Sequence, residues 1–216
     1  MEFAFDFLPK TKNTYPGMRT NMERVLAISA HFDDSETGCG GTLLRHKDAG
    51  DEIYLAVLAA DEMRTGNPLE REKEQRKVME VLGAVGLLCL ELSEKASRKE
   101  IKQAITSLDK INPTLIYAPH KKDSHQDHRL AHHVGQSVSR KGASLLAYSL
   151  HSSYDFAPNL FKVIDFEKKK GLISCFQSQE SLEKLILFAE NQNRMFGSLF
   201  AVDFAEGFVL HKMLCR

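Results

Sequence analysis

The sequence predicts an α/β protein with a Rossmann-like three-layer fold, in which a mostly parallel sheet carries helices on both faces. Three observations point there. Short, β-branched apolar runs alternate with longer amphipathic stretches along most of the 216 residues, the alternation that marks βαβ units. The runs are nearly continuous in apolar residues, as parallel strands covered on both faces are. Polar residues suited to chemistry gather directly after two of these runs, where open α/β sheets form their ligand crevice.

Taken in order, Arg24 to Ala30 (RVLAISA) has the length of a buried strand and stops at His31, before a polar, glycine-rich turn. GGTLLRHKDAG then reads as a short helix closed by Gly50, and EIYLAVLAA as a second buried strand. A charged amphipathic helix is expected from about Leu69 to Leu82, followed by a strand around LLCLEL, a helix around Lys99 to Lys110 and the strand TLIYAP. Beyond Asp127 the pattern gives another helix, the runs SLLAYSL and LFKVIDF, helices through Glu167 to Asn193 and a terminal apolar run including FVLHKM.

Composition narrows the function. The chain's length fits one domain spanning 1–216, against roughly 100–200 residues for a typical domain. Lys plus Arg and Asp plus Glu both number 29, so no excess positive charge is present to hold a nucleic-acid backbone. Glu2 and Asp6 stand where a secretory signal carries positive charge, and no apolar run is long enough to span a bilayer. The expectation is a soluble, cytoplasmic protein acting on a small molecule, with homo-oligomerisation left open. Cys39, Cys89, Cys175 and Cys215 are widely spaced and read as neither a disulfide framework nor a thiolate metal site.

The first polar cluster is His31-Phe32-Asp33-Asp34-Ser35-Glu36, and the second is Asp123-Ser124-His125-Gln126-Asp127-His128. Each holds imidazole and carboxylate. Two histidines and one carboxylate, with water in the open position, make a catalytic zinc site. Either cluster alone reads equally well as a solvated turn; two at equivalent strand ends favour a site. Gly38, Gly40 and Gly41 suggest a phosphate-binding turn of a nucleotide-binding module, but Leu43 stands where the third glycine of that fingerprint belongs. The preferred reading is that they let the chain turn tightly beside a metal site.

The strings AISAHFDDSETGCGGTLLRHKDAG and IYAPHKKDSHQDHRLAHH resemble the PIG-L/LmbE-like family of zinc-dependent N-deacetylases. The family hallmark is A-H-P-D-D-E followed by G-C-G-G, with a later H-P-D-H. Weaker agreement runs through Arg71 and Glu74, through PNLFKVIDFEKKKGLISCFQSQ, and on to Ala205-Glu206-Gly207-Phe208. Carried over position by position, the resemblance implies that His31, Asp34 and His128 bind Zn2+ and that Asp33 is the general base. It makes a protonated His125, oriented by Asp127, the stabiliser of the oxyanion. Arg71 is implied to face the substrate, with a guanidinium that forks onto sugar hydroxyls or a nearby carboxylate; the alternative is a solvent-facing arginine paired with Glu74 or another helix neighbour. His132 and His133 are placed on the following helix, outside the ligand set.

The sequence departs from the hallmark at Phe32, in place of proline, and at Ser35, in place of glutamate. Loss of a hydrogen-bond partner behind a ligand commonly costs about 10–100-fold in metal affinity or activity. The expected function is removal of an acetyl group from an N-acetylglucosamine-type amino sugar or conjugate. The alternative is a metal- and sugar-binding protein of the same fold with impaired turnover. Specificity is expected to lie in the loops Ala60 to Pro68 and Ser152 to Asn159, and an N,O site of this kind also accepts iron or cobalt.

Overall fold

The structure is a computed structural model that describes residues 4–6, 22–60, 67–93 and 95–213. The opening stretch apart from Ala4–Asp6, most of the loop before Pro68, and Cys215 therefore lie outside the described residues. Among the described residues, eight strands form one sheet: β1 (Ala4–Asp6), β2 (Arg24–Ser29), β3 (Glu52–Val57), β4 (Gly86–Cys89), β5 (Leu115–Pro119), β6 (Ser144–Tyr148), β7 (Leu160–Val163) and β8 (Ala205–Lys212). The helices are α1 (Asp34–Ala49), α2 (Pro68–Leu82), α3 (Arg98–Asp109), α4 (Gln126–Ser139), α5 (Phe166–Ile173) and α6 (Leu182–Ser198).

The strand order is β1-β7-β8-β6-β5-β2-β3-β4. Every pairing is parallel except those of β8, which runs antiparallel to both β6 and β7. From β2 the chain winds outward to β3 and β4, then returns to the other side of β2 for β5 and β6. The gap between β2 and β5 is thus a topological switch point, and the two polar clusters follow those two strands.

Alternation along the strands splits the core in two. Val25 and Ala27 of β2 pack on one face with Leu43 of α1, Val78 and Leu82 of α2, and Tyr117. Leu26 and Ile28 pack on the other with Leu108 of α3 and Val134 and Val138 of α4. Burial on both faces is why the strand sequences read as unbroken apolar runs. No helix among the described residues is long and apolar enough to cross a membrane.

The glycine-rich segment departs from the expectation of a turn. α1 begins at Asp34 and runs through GCGG, with a kink at Cys39 (φ −143°, ψ 16°). The physical reason is close packing. A Cβ on Gly38 would lie 2.1 Å from the Tyr148 ring, and one on Gly41 2.8 Å from Ile164, so the helix presses against its neighbours where a side chain would hold it off. This placement also removes the phosphate-binding reading, because the glycines face packed side chains. Glu206 of β8 accepts the backbone N–H groups of Gly41 (2.9 Å) and Thr42 (2.8 Å), just past the kink. Its carboxylate pairs with Lys169 of α5 at 2.8 Å, both groups fully buried, and Lys169 Nζ donates to Asn193 Oδ1 of α6 at 2.8 Å.

Candidate metal centre and catalytic site

β2 ends at Ser29, and the chain turns into α1 through Asp33, whose φ of 85° is left-handed. A non-glycine residue held there carries strain of about 1–3 kcal/mol and is typical of functional turns. Asp33 stands at the N-cap of α1, yet its side chain makes no cap hydrogen bond. The following Asp34 closes the turn instead: its Oδ2 accepts the backbone N–H groups of Ala30 (2.9 Å) and His31 (2.8 Å). Its Oδ1 faces His128 Nε2 at 3.5 Å.

The second strand end delivers the remaining groups. His125 caps α4, with Nδ1 accepting the Asp127 backbone N–H at 3.3 Å. His128 lies one turn into the helix and is almost fully buried. Its Nδ1 is 3.1 Å from Asp123 Oδ1 and 3.1 Å from Ser152 Oγ, so Nε2 is the nitrogen left to face Asp34. Asp123 is itself fixed, accepting the His125 backbone N–H at 2.8 Å and Ser153 Oγ–H at 2.8 Å.

His31, His125 and His128 each offer a nitrogen within 4.8 Å of the others. Asp34 adjoins two of these imidazoles through different oxygens, Oδ1 3.5 Å from His128 Nε2 and Oδ2 3.7 Å from His31 Nδ1. Two ligands of a tetrahedral zinc, each at about 2.0–2.1 Å, stand roughly 3.3 Å apart. Among the described residues the three imidazoles offer a divalent cation its donor set, with the Asp34 carboxylate adjoining it. Asp127 Oδ2 is 3.3 Å from His31 Nε2 and 3.8 Å from His125 Nδ1, so it serves His31 at least as closely as His125. With Nδ1 accepting the cap bond, Nε2 is the His125 nitrogen left to donate toward the cavity.

The electrostatics reflect crowded carboxylates. Burial and the neighbouring Asp34 push Asp33 up to about 7 against the pull of Arg71. For Asp34, the attraction of His128 overcomes burial and lowers it to about 2. Burial works against charging His128, but Asp34 and Asp123 outweigh it and raise the imidazole to about 10.

Arg71 is 2% exposed and lines the cavity above the clusters. Its Nη2 donates to Asp33 Oδ2 at 3.1 Å, and its guanidinium lies 5.8 Å from the Phe176 ring centroid. It is therefore not a surface partner of Glu74, whose carboxylate instead accepts the Ser178 backbone N–H (2.8 Å) and Oγ–H (2.7 Å). Gln179, in the loop between α5 and α6, donates to Asp33 Oδ2 at 2.8 Å. Sequence reasoning assigned no role to Gln179, Asp123 or Ser152.

His132 is outside the site, with Nδ1 donating to the Pro119 carbonyl at 2.8 Å and its ring against His211; His133 is exposed. At the two departures from the hallmark, Phe32 is buried in the core. Ser35 Oγ donates to Glu36 Oε2 at 3.1 Å, while Glu36 Oε1 accepts Gln75 Nε2 of α2 at 2.8 Å. Glu36, one position after the missing glutamate, thus ties α1 to α2.

Comparisons with known proteins place the chain in a family. A family model described as PIG-L, GlcNAc-PI de-N-acetylase, matches residues 26–139, which hold both clusters and Arg71. The uncharacterized deacetylase YaiS of Escherichia coli is 28% identical over 153 residues, covering 66% of this chain and 83% of that protein. A diacetylchitobiose deacetylase of Thermococcus kodakarensis is 27% identical over 137 residues, 56% of this chain and 51% of that protein. The crystal structure of the conserved protein TT1542 from Thermus thermophilus shares the fold, with a TM-score of 0.79 at 24% identity over 90% of this chain and 97% of that one.

Proposed function

The chain belongs to the PIG-L family, and from that membership we propose that it is a zinc-dependent hydrolase removing the N-acetyl group of an N-acetylglucosamine-type amino sugar or conjugate. The observation that carries the reading is the convergence of His31, Asp34 and His128 beside the buried Asp33 at the switch point of the sheet. The deacetylase named for the Thermococcus relative supports the substrate class.

His31, Asp34 and His128 would hold the ion. When bound, zinc lowers the pKa of its water to about 7 and polarises the acyl carbonyl. Asp33 takes a proton from the attacking water and returns it to the departing nitrogen, so the C–N bond breaks to give acetate and a free amine. Nε2–H of His125 donates to the carbonyl oxygen as negative charge grows there, and its cap bond keeps the ring aimed. The Asp127 carboxylate orients the His31 ring from behind, and the Asp127 backbone N–H orients the His125 ring. Arg71 holds Asp33 and borders the cavity where the sugar would lie.

The test is acetate release by the zinc-loaded protein from a panel of N-acetylglucosamine conjugates, beside an Asp33→Ala variant. Release by the unaltered protein and not by the variant supports the reading. No release at stoichiometric zinc would leave the binding protein with impaired turnover in its place.

A further inference from the structure

We infer that Gln179 is a positioning residue for this reaction: together with Arg71 it fixes Oδ2 of Asp33, so that Oδ1 is the atom that carries the proton. Arg71 Nη2 and Gln179 Nε2 both donate to Oδ2, at 3.1 and 2.8 Å, and neither donates to Oδ1. The inference rests on the deacetylase reading, since it presumes that Asp33 handles a proton.

The backbone of Asp33 does not supply this orientation. At a left-handed φ of 85° the side chain forgoes the cap hydrogen bond that would tie it to its own helix. Its direction is set instead by groups from α2 and from the loop after α5. One face of α2 supplies the first and holds the second. Arg71 reaches Asp33 directly, and Glu74, one turn along, grips Ser178 by its backbone N–H and its hydroxyl. These two hydrogen bonds fix the residue next to Gln179, while the fully buried Phe176 anchors the loop from the other side. The loop is therefore already held to α2 without the Gln179 side chain. What the Gln179 amide adds is a second donor on one particular oxygen of Asp33, leaving the other oxygen for proton transfer.

The experiment uses the zinc-loaded protein and the N-acetylglucosamine conjugate it cleaves fastest. Gln179→Ala is expected to bind stoichiometric zinc, to keep KM within about twofold and to lose kcat by about 10- to 100-fold, the pattern of a group misplaced in the transition state. Its crystal structure should show the Asp33 carboxylate turned away from Arg71. Ser178→Ala should lower kcat in the same sense, and Ser178→Thr, which keeps the hydroxyl, should restore it. An undiminished kcat overturns the inference, and so does an Asp33 carboxylate left in place, whatever the rate. If the unaltered protein releases no acetate from any conjugate, the deacetylase reading fails, and the place of Asp33 in the Gln179→Ala crystal still decides whether Gln179 positions it.

Discussion

Asp123 Oδ1 stands 3.1 Å from His128 Nδ1, so the imidazole whose Nε2 faces Asp34 is held from behind by a fully buried carboxylate. A carboxylate in that position fixes the tautomer of a ligand histidine and raises its basicity. Asp123→Asn keeps the shape and removes the charge. It is expected to weaken zinc binding by about 10- to 100-fold, read by competition against a chromophoric chelator, with circular dichroism confirming the fold. An unchanged affinity would show that Ser152 alone suffices to hold the ring.

His125 lies close enough to His31 and His128 to join them as a ligand, yet the proposed chemistry uses it on the carbonyl oxygen. His125→Ala is expected to retain stoichiometric zinc and to lose kcat by about 100- to 1000-fold, as removal of an oxyanion donor does. Loss of the metal from this variant would instead make the ligand set three histidines. Metal analysis and steady-state kinetics on one preparation separate the two.

His132 lies outside the candidate ligand set, one turn along α4 from His128. Burial pulls its imidazole down to about 4, with the positive neighbours His211, His120 and Lys121 adding to the effect and the Pro119 carbonyl opposing it. The unfolded chain takes up a proton there below its ordinary value of 6.5, while the folded chain refuses one until about 4. Stability is therefore lost as pH falls through that window, by about 3 kcal/mol in all. His132→Asn keeps a donor for Pro119 without the titration. Urea unfolding at pH 7.5 and pH 5 should show a smaller pH-dependent loss for the variant than for the unaltered protein.

The Lys169–Glu206 pair should be costly to break. Lys169→Met leaves a fully buried carboxylate with two backbone amides and no countercharge, an expected loss of about 3–5 kcal/mol. The double variant Lys169→Met with Glu206→Gln should lose less than the sum of the two single changes. Chemical denaturation of all four proteins closes this cycle.

Much of the fold was legible because its signals are local. RVLAISA, EIYLAVLAA and TLIYAP carry strand length, β-branching and two-sided burial in their own letters, and the polar residues that follow them mark the strand ends. His31, Asp34, His125 and His128 were readable for the same reason. GCGG was misread because glycine permits both a tight turn and a close helix contact, and only the distant Tyr148 and Ile164 distinguish the two. Arg71 could be flagged but not placed, since its burial depends on Asp33 and Phe176. Gln179 closes the stretch PNLFKVIDFEKKKGLISCFQSQ that resembles the family, but its role could not be read there, because its bond to Asp33 spans 146 residues.

The switch point between β2 and β5 also bears on how the molecule is held together. An ion shared by Asp34 and His128 would act as a staple between chain segments about ninety residues apart, each delivered by a different strand of the central pair. Stripping the metal would loosen a seam in the middle of the sheet, where β2 meets β5. The unfolding temperature should therefore climb with the logarithm of free zinc, making occupancy of the site visible in a melt even where the sugar is unknown.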